Sequence, residues 1–181
     1  MAILLSVKNI GDYLEKDTVD TLLGYAHACS SRDYLMLRIL WRTGIRVSEL
    51  LSIRPQDLEP HNQVVNITKA KGNKQRRVML DPETLDHLSE YILQQNIPEF
   101  QPVFTLSSVQ VWNICKKYGR MINVDIHPHT FRHSFAIHLV RSGFDLRRVQ
   151  QLLGYSNLNT TQAYSQFNDQ DLRERYNKIE F

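Results

Sequence analysis

The chain has 181 residues, of which 42% are hydrophobic and 23% charged, with a formal net charge of +3. Such a length and composition predict one globular domain with a sizeable core, and the mildly basic charge is compatible with a nucleic-acid partner. The apolar start before Lys8 is too short for a signal-peptide core, and no apolar run approaches the roughly 20 residues that span a bilayer. The sequence therefore predicts a soluble, cytoplasmic protein and excludes a membrane-spanning one.

The first part of the chain is predicted to be helical. Residues 17–28 carry apolar side chains at helical spacing. Residues 31–42 begin with a Ser/Asp capping signal and are apolar on nearly every side, so this helix should lie at the centre of the fold. Gly44 is placed to end it, and residues 47–53 predict a short third helix that Pro55 limits.

One small β-sheet is predicted in the middle of the chain. Residues 63–68 and 75–80 are short runs rich in β-branched and apolar side chains, and Gly72 between them allows a turn. This pattern predicts an antiparallel hairpin with lysines at its tip. Helical patterns then continue over residues 82–95, 107–122, 130–142, 146–153, 160–167 and 169–179. The predicted fold class is mainly α with a small antiparallel β-sheet (α+β).

Arg46 lies at the start of the predicted third helix and has two possible roles. It can pair with Glu49, three residues later on the same helix face, which is a structural role. Taken alone, the spacing favours the structural role, but helix N-termini favour anions, so the arginine is also well placed to bind a phosphate. Its immediate neighbours leave both roles open.

The segment HPHTFRHSF places His129 and Arg132 three residues apart on one helix face. His129 and His133 are also four residues apart, as two ligands of a metal on a helix can be. A zinc site normally has a third protein ligand, and a hydrolytic one has a glutamate directly after the first histidine, where this chain has Thr130. Arg132 would also bring positive charge to a metal. We therefore predict no metal site here.

Two further features are ambiguous by themselves. Five lysines and arginines fall within residues 69–77, a run typical either of a solvated surface or of a nucleic-acid contact. The chain also has eight tyrosines, and composition does not distinguish Tyr164 among them.

Taken together, several segments resemble the catalytic domain of tyrosine recombinases, the phage-integrase and Xer-type site-specific recombinases. These are TGIRVSELLSIRPQDL, KAKGNKQRRVMLD and HPHTFRHSFAIHLVRSGFDLRRVQQLLGYSNLNTTQAY, in the order and spacing of the family from about residue 14 to the C-terminus. The resemblance implies the fold of that catalytic domain. Family members usually carry an N-terminal helical DNA-binding domain as well, and this chain starts where the catalytic domain starts. We therefore expect residues 1–181 to be a single catalytic domain.

The resemblance implies a role for each matching side chain. Arg46 and Arg132 would bind the nonbridging oxygens of the scissile phosphate and stabilise the charge of its transition state. Lys71, at the hairpin tip, would protonate the 5′ oxygen as it leaves, and His129 would act as an acid or base near the attacking phenol. Tyr164 would attack and hold the cut strand as a 3′-phosphotyrosine. The resemblance also implies that the reaction needs no metal and no cofactor.

Tyr155 departs from the family's pattern. Most relatives carry His, and some Trp, at this position of LGYSN, where the side chain donates a hydrogen bond to the phosphate. A phenol also donates such a bond, but it has no cationic form, so the bond would lack charge assistance. The alternative is a degenerate site that binds DNA without cutting it.

The implied function is that of a site-specific DNA recombinase or integrase, associated with the nucleoid, that cleaves and rejoins double-stranded DNA. Three alternatives remain: a catalytically weakened DNA-binding relative, an enzyme similar to type IB topoisomerases, and a metal-dependent nuclease. The last helix, residues 169–179, would either pack into a neighbouring protomer of a DNA-bound homo-oligomer, a tetramer, or pack against its own core.

Overall fold

The computed structural model describes residues 13–67 and 76–154. Lys71, Tyr155 and Tyr164 lie outside the described residues, as do the predicted helices 160–167 and 169–179. Within the described ranges the helical elements are α1 (Lys16–Cys29), α2 (Ser31–Thr43), α3 (Val47–Leu50), α4 (Pro82–Gln94), α5 (Ser108–Met121), α6 (Pro128–Arg141) and α7 (Leu146–Leu153), together with 3₁₀ turns at Pro55–Asp57 and Pro60–Asn62.

The sheet has three antiparallel strands in the order β1 (Leu58–Glu59), β2 (Val64–Ile67) and β3 (Arg76–Met79). The predicted hairpin is confirmed, because β2 and β3 pair in register from Val64 opposite Met79 to Ile67 opposite Arg76. The strand β1 was not predicted. It contributes only two residues, too few for an alternating pattern to be visible in the sequence.

Helix α2 is the central element of the fold, as predicted. The Ser30 hydroxyl caps its N-terminus by accepting a hydrogen bond from the Asp33 backbone N–H at 3.2 Å. Its long apolar side chains are buried, and the helix packs against α1, α4 and α6. Gly44 ends it with a left-handed backbone, φ 59°. A β-carbon on Gly44 would lie only 2.6 Å from the Phe135 ring of α6, so glycine permits both the turn and the close helix packing.

Two helix boundaries differ from the predictions by more than one residue. Helix α3 ends at Leu50 instead of residue 53, as a single turn. Helix α6 begins at Pro128 instead of residue 130, because His127 caps it: its Nδ1 accepts the Thr130 N–H at 3.3 Å, and its own N–H donates to the Thr130 hydroxyl at 3.2 Å. His129 therefore lies in the first turn of α6.

The rest of α6 is fixed by contacts with α7 and with the start of the described chain. Its apolar side forms a small cluster with α7, made of Ala136, Ile137, Val140, Val149 and Leu153. The start of the described chain also binds α6, since the Leu14 N–H donates to the Ser134 hydroxyl at 2.7 Å and the Leu14 carbonyl lies 2.8 Å from Nε2 of His138. These contacts fix the helix whose first turns face the candidate site.

Candidate active site

A cavity of about 230 Å³ lies where the start of α3 meets the start of α6. Three of the predicted site residues line it, namely Arg46, His129 and Arg132. The other lining residues are Ile45, Val47, Ser48 and Pro128, so within residues 13–67 and 76–154 no acidic side chain lines the cavity. The fold thus brings Arg46 together with His129 and Arg132, which lie more than 80 residues later in the sequence. Their surroundings favour an anion.

Another groove of the molecule is larger than this cavity, so volume alone would have indicated a different candidate site. A groove of about 560 Å³ lies between α1, α2 and α6, and residues such as Lys16, Trp41 and His138 line it. Of the predicted site residues that the structure describes, none lines that groove, and its lining includes the carboxylates of Asp20 and Glu83. The smaller cavity is the candidate because of its chemistry.

Arg46 fulfils the structural role that the sequence allowed and remains available to the cavity. Its backbone N–H donates to Oε2 of Glu49 at 2.8 Å, and its Nη1 donates to Oε1 at 3.1 Å. The pair holds one edge of the guanidinium in place. The Arg46 side chain nevertheless keeps 28% of its surface exposed and lines the cavity. Pairing with Glu49 therefore orients Arg46 without removing it from the site.

Arg132 is almost completely buried, with 5% of its surface exposed. Its Nη1 donates to the Gly44 carbonyl at 2.6 Å and its Nη2 to the Leu153 carbonyl at 2.8 Å. These carbonyls stand at the C-terminal ends of α2 and α7, where helix carbonyls lack intrahelical partners and the helix dipole is negative. A buried charge is thereby compensated, and Arg132 holds both helix ends beside the cavity.

His129 is exposed at the mouth of the cavity, as the second residue of α6. The neighbouring His127 ring is occupied as the helix cap, and its centroid lies 6.2 Å from that of His129. Because α6 starts here, the positive end of its dipole is also directed at this part of the site. The position suits proton transfer to or from a bound anion.

Two contributors were not recognised from the sequence: Glu49, which was considered only as a partner of Arg46, and Arg76. Arg76 forms a double contact with the buried Glu49 carboxylate, Nε to Oε1 at 3.2 Å and Nη2 to Oε2 at 2.8 Å, and its Nη1 donates to the Leu152 carbonyl at 2.6 Å. Burial alone would raise the pKa of Glu49, but the hydrogen bonds from Arg76 and from the Arg46 backbone lower it overall. Glu49 is therefore ionised.

The end of α7 is the point where these contacts converge. The carbonyl oxygens of residues 152–154 accept hydrogen bonds, in that order, from Arg76, Arg132 and Arg46, the last at 3.4 Å. Gly154 ends the helix with φ 67°, as its position in the sequence predicted. We call this arrangement of three arginines, Glu49 and the end of α7 the arginine junction. In the sequence, its last residue, Gly154, directly precedes Tyr155.

Within residues 13–67 and 76–154, no three His, Cys, Asp or Glu side chains are grouped so that they could hold a metal ion. None of the helices in these ranges is long and apolar enough to cross a membrane.

Comparison with known proteins identifies the family. The model of the phage integrase family matches residues 12–171. This chain belongs to the phage integrase family. A tyrosine recombinase from Pseudothermotoga lettingae is 39% identical over 178 residues, an alignment that covers 95% of this chain and 62% of that protein. The chain thus spans less than two thirds of that relative's length.

Solved structures share the fold. The crystal structure of XerA recombinase is 27% identical, with a TM-score of 0.81 over 96% of this chain and 68% of that one. The XerH site-specific recombinase bound to difH substrate, a pre-cleavage complex, is 24% identical, with a TM-score of 0.75 over 90% of this chain and 52% of that one. The predicted family resemblance and the predicted fold class are confirmed.

Proposed function

We propose that this chain is the catalytic part of a site-specific recombinase that cleaves and rejoins double-stranded DNA through a 3′-phosphotyrosine. The observation that carries the proposal is the convergence of Arg46, Arg132 and His129 on one cavity, in a member of the phage integrase family. Among the residues that the structure describes, none that lines this cavity is acidic. The names of its relatives, tyrosine recombinase and XerA recombinase, support the same activity.

The charge balance of the site suits a phosphodiester. Among the described residues, the arginine junction combines three guanidiniums with the carboxylate of Glu49, and these four groups together carry excess positive charge. A phosphodiester gains negative charge on its nonbridging oxygens as it becomes pentacoordinate, and preorganised arginines stabilise that charge. Arg46 and Arg132 are the two arginines that line the cavity, and we assign them to these oxygens.

The remaining steps are assigned by family position. The Tyr164 oxygen attacks the phosphorus, the bond from phosphorus to the 5′ oxygen breaks, and the leaving oxygen takes a proton from Lys71. His129 accepts the proton of the phenol, and Tyr155 donates a hydrogen bond to the phosphate. Rejoining is the reverse, with a second 5′ hydroxyl as the nucleophile. The reaction needs neither a metal nor a cofactor.

The finer assignments extend this proposal. Residues 1–181 form one catalytic domain that acts on DNA at the nucleoid, in the cytoplasm. Residues 169–179 of one protomer pack into a neighbour, and four copies assemble on DNA. Removing residues after Phe167 and measuring the mass of the complex on DNA tests the assembly, and an unchanged mass would contradict exchange of this segment.

The activity is tested on a pool of nicked duplexes carrying candidate sites, in which the nick prevents rejoining. In excess chelator, the protein should form a covalent protein–DNA adduct that Tyr164→Phe abolishes. DNA binding without an adduct would indicate a non-catalytic relative, and cleavage that the chelator removes would indicate a metal-dependent nuclease. Relaxation of supercoiled DNA without site preference would indicate a topoisomerase.

A further inference from the structure

Arg76 joins three parts of the molecule that the proposed reaction must align. It is the first residue of β3, and residues 68–75, which include Lys71, directly precede it. Its guanidinium contacts the Glu49 carboxylate of α3 with two nitrogens and the Leu152 carbonyl of α7 with the third. All three guanidinium nitrogens are therefore engaged.

The contact with Glu49 extends to Arg46. Oε1 of Glu49 accepts from Nε of Arg76 and from Nη1 of Arg46, and Oε2 accepts from Nη2 of Arg76 and from the Arg46 backbone. The carboxylate thus lies between the two guanidiniums. Because Glu49 has 1% of its side chain exposed, its orientation depends on these partners and not on water.

The contact with Leu152 reaches the other side of the site. The packing is close, since a β-carbon on Gly154 would lie 2.9 Å from Cδ of Arg76. Tyr155 follows Gly154 directly, and Tyr164 comes nine residues after Tyr155. Arg76 therefore holds the end of the element from which the chain continues to both tyrosines.

Arg76 is not placed to bind DNA itself. Its side chain is 13% exposed, whereas that of the adjacent Arg77 is 59% exposed and forms a surface ion pair with Glu59 at 2.9 Å. Neighbouring residues of a strand point to opposite sides, so the run of basic residues divides here into one inward and one outward arginine.

We propose that Arg76 is a positioning residue for strand cleavage. It sets the orientation of Arg46 through Glu49 and fixes the end of α7 relative to the start of β3. This inference rests on the proposed cleavage activity. Lysine in its place would keep the charge but could not contact two carboxylate oxygens and a carbonyl in one plane.

The test compares Arg76→Lys with the matched control Arg77→Lys. Adduct formation on the nicked duplex is followed under single-turnover conditions, and DNA affinity is measured separately. We expect Arg76→Lys to lower the rate constant about 10- to 100-fold, the scale of a small misplacement of reacting groups. DNA affinity should change by less than about threefold, because no phosphate contact is lost. Arg77→Lys should leave the rate constant unchanged. Equal rate constants for the two variants would overturn the proposal.

A double-mutant cycle separates positioning from a general structural role. If Arg76 acts through Arg46, Arg76→Lys should cost much less in an Arg46→Ala background than in the parent. The same loss in both backgrounds would show that Arg76 acts independently of Arg46, and would contradict the proposal.

A second measurement does not depend on cleavage. In protein labelled with ¹⁵N-arginine, the Nε–H resonance of Arg46 should shift or broaden in Arg76→Lys and stay unchanged in Arg77→Lys. An Arg46 resonance unaffected by Arg76→Lys would overturn the positioning role. If the parent protein forms no adduct, but Arg76→Lys still shifts the Arg46 resonance, the proposed function is contradicted. The coupling between the two arginines is supported in that case.

Discussion

The core around α2 is buried and the arginine junction is partly buried, and the two are built from opposite chemistry. The core consists of aliphatic side chains such as Leu37, Ile39 and Leu40, none of which is exposed. The junction consists of charged groups and helix-end carbonyls, in which guanidinium nitrogens donate to specific oxygen atoms.

This difference in chemistry suggests different roles: the core contributes to the stability of the protein, and the junction to the geometry of the candidate site. The burial of apolar side chains stabilises a fold roughly in proportion to the apolar area removed from water, and it does not require a particular orientation of the contacting groups. Buried ions gain little net stability over an apolar replacement, yet they enforce one arrangement because each unpaired charge would be costly. The core should therefore determine how stable the protein is, and the junction how precisely the phosphate is held.

The largest expected effect is that of Arg132→Lys in the junction. The guanidinium presents its donors from separate nitrogens of a planar fork, whereas an ammonium presents all of them from one nitrogen. A lysine therefore cannot reproduce the contacts to the Gly44 and Leu153 carbonyls while it also binds a phosphate oxygen. Adduct formation should slow by about 10²- to 10³-fold, the usual effect of removing one donor that stabilises transition-state charge. Single-turnover cleavage measures this effect. A rate within threefold of the parent's would contradict the assignment of Arg132 to the phosphate.

The core counterpart is Leu37→Ala in α2. The side chain has no exposed surface, so its truncation should lower the free energy of unfolding by about 2–5 kcal/mol. Urea denaturation measures the loss. The rate constant of cleavage at a temperature where the variant is folded should stay at the parent's value. A proportional fall in cleavage would show that the two regions are not separable in this way.

An intermediate case is Asp81, which connects Arg42 of α2 to the N-terminus of α4. Burial alone would raise the pKa of Asp81, but hydrogen bonds from Thr84 and Arg42 outweigh it and lower the pKa to about 2. A lowered carboxyl pKa stabilises the fold above the unfolded-state value and loses that contribution as the pH falls through the folded-state value. Asp81→Asn should therefore cost about 2 kcal/mol at pH 7 and progressively less between about pH 4 and pH 2.

Urea denaturation of both proteins at several pH values measures this difference. A difference in the free energy of unfolding that is the same at pH 7 and pH 2 would mean that the Asp81 charge contributes nothing.

The smallest effect is expected at Tyr155, which follows the junction. Tyr155→Phe removes one neutral hydrogen-bond donor and should slow adduct formation by about tenfold or less, since such a bond contributes about 1 kcal/mol. Tyr155→His restores a donor that can be charged, and should cut at least as fast as the parent. If the phenylalanine variant cuts as well as the parent, Tyr155 is not a donor to the phosphate.

The same contrast explains what could be predicted from the sequence. Helix α2 was predicted correctly because continuous apolar character and a capping serine are local signals. The convergence of Arg46, His129 and Arg132 was predicted only through the family resemblance. Spacing alone does not bring residues of α3 and α6 together.

Other features could not be predicted from local patterns. Arg76 looks like its neighbour Arg77 in a basic run, and only the alternation of a strand with a known register separates the inward side chain from the outward one. The early start of α6 was missed because His127 acts as the cap, a role for which Ser, Thr, Asp and Asn are the usual residues.

The most direct test of the central claim is to locate the bond between protein and DNA. The adduct formed on a nicked duplex is digested with nuclease and trypsin. The peptide covering residues 149–173, which contains both Tyr155 and Tyr164, is then fragmented in a mass spectrometer. The proposed mechanism predicts a 3′-phosphonucleotide on Tyr164 and none on Tyr155. A nucleotide on any other residue, or no adduct with any duplex of the pool, would contradict it.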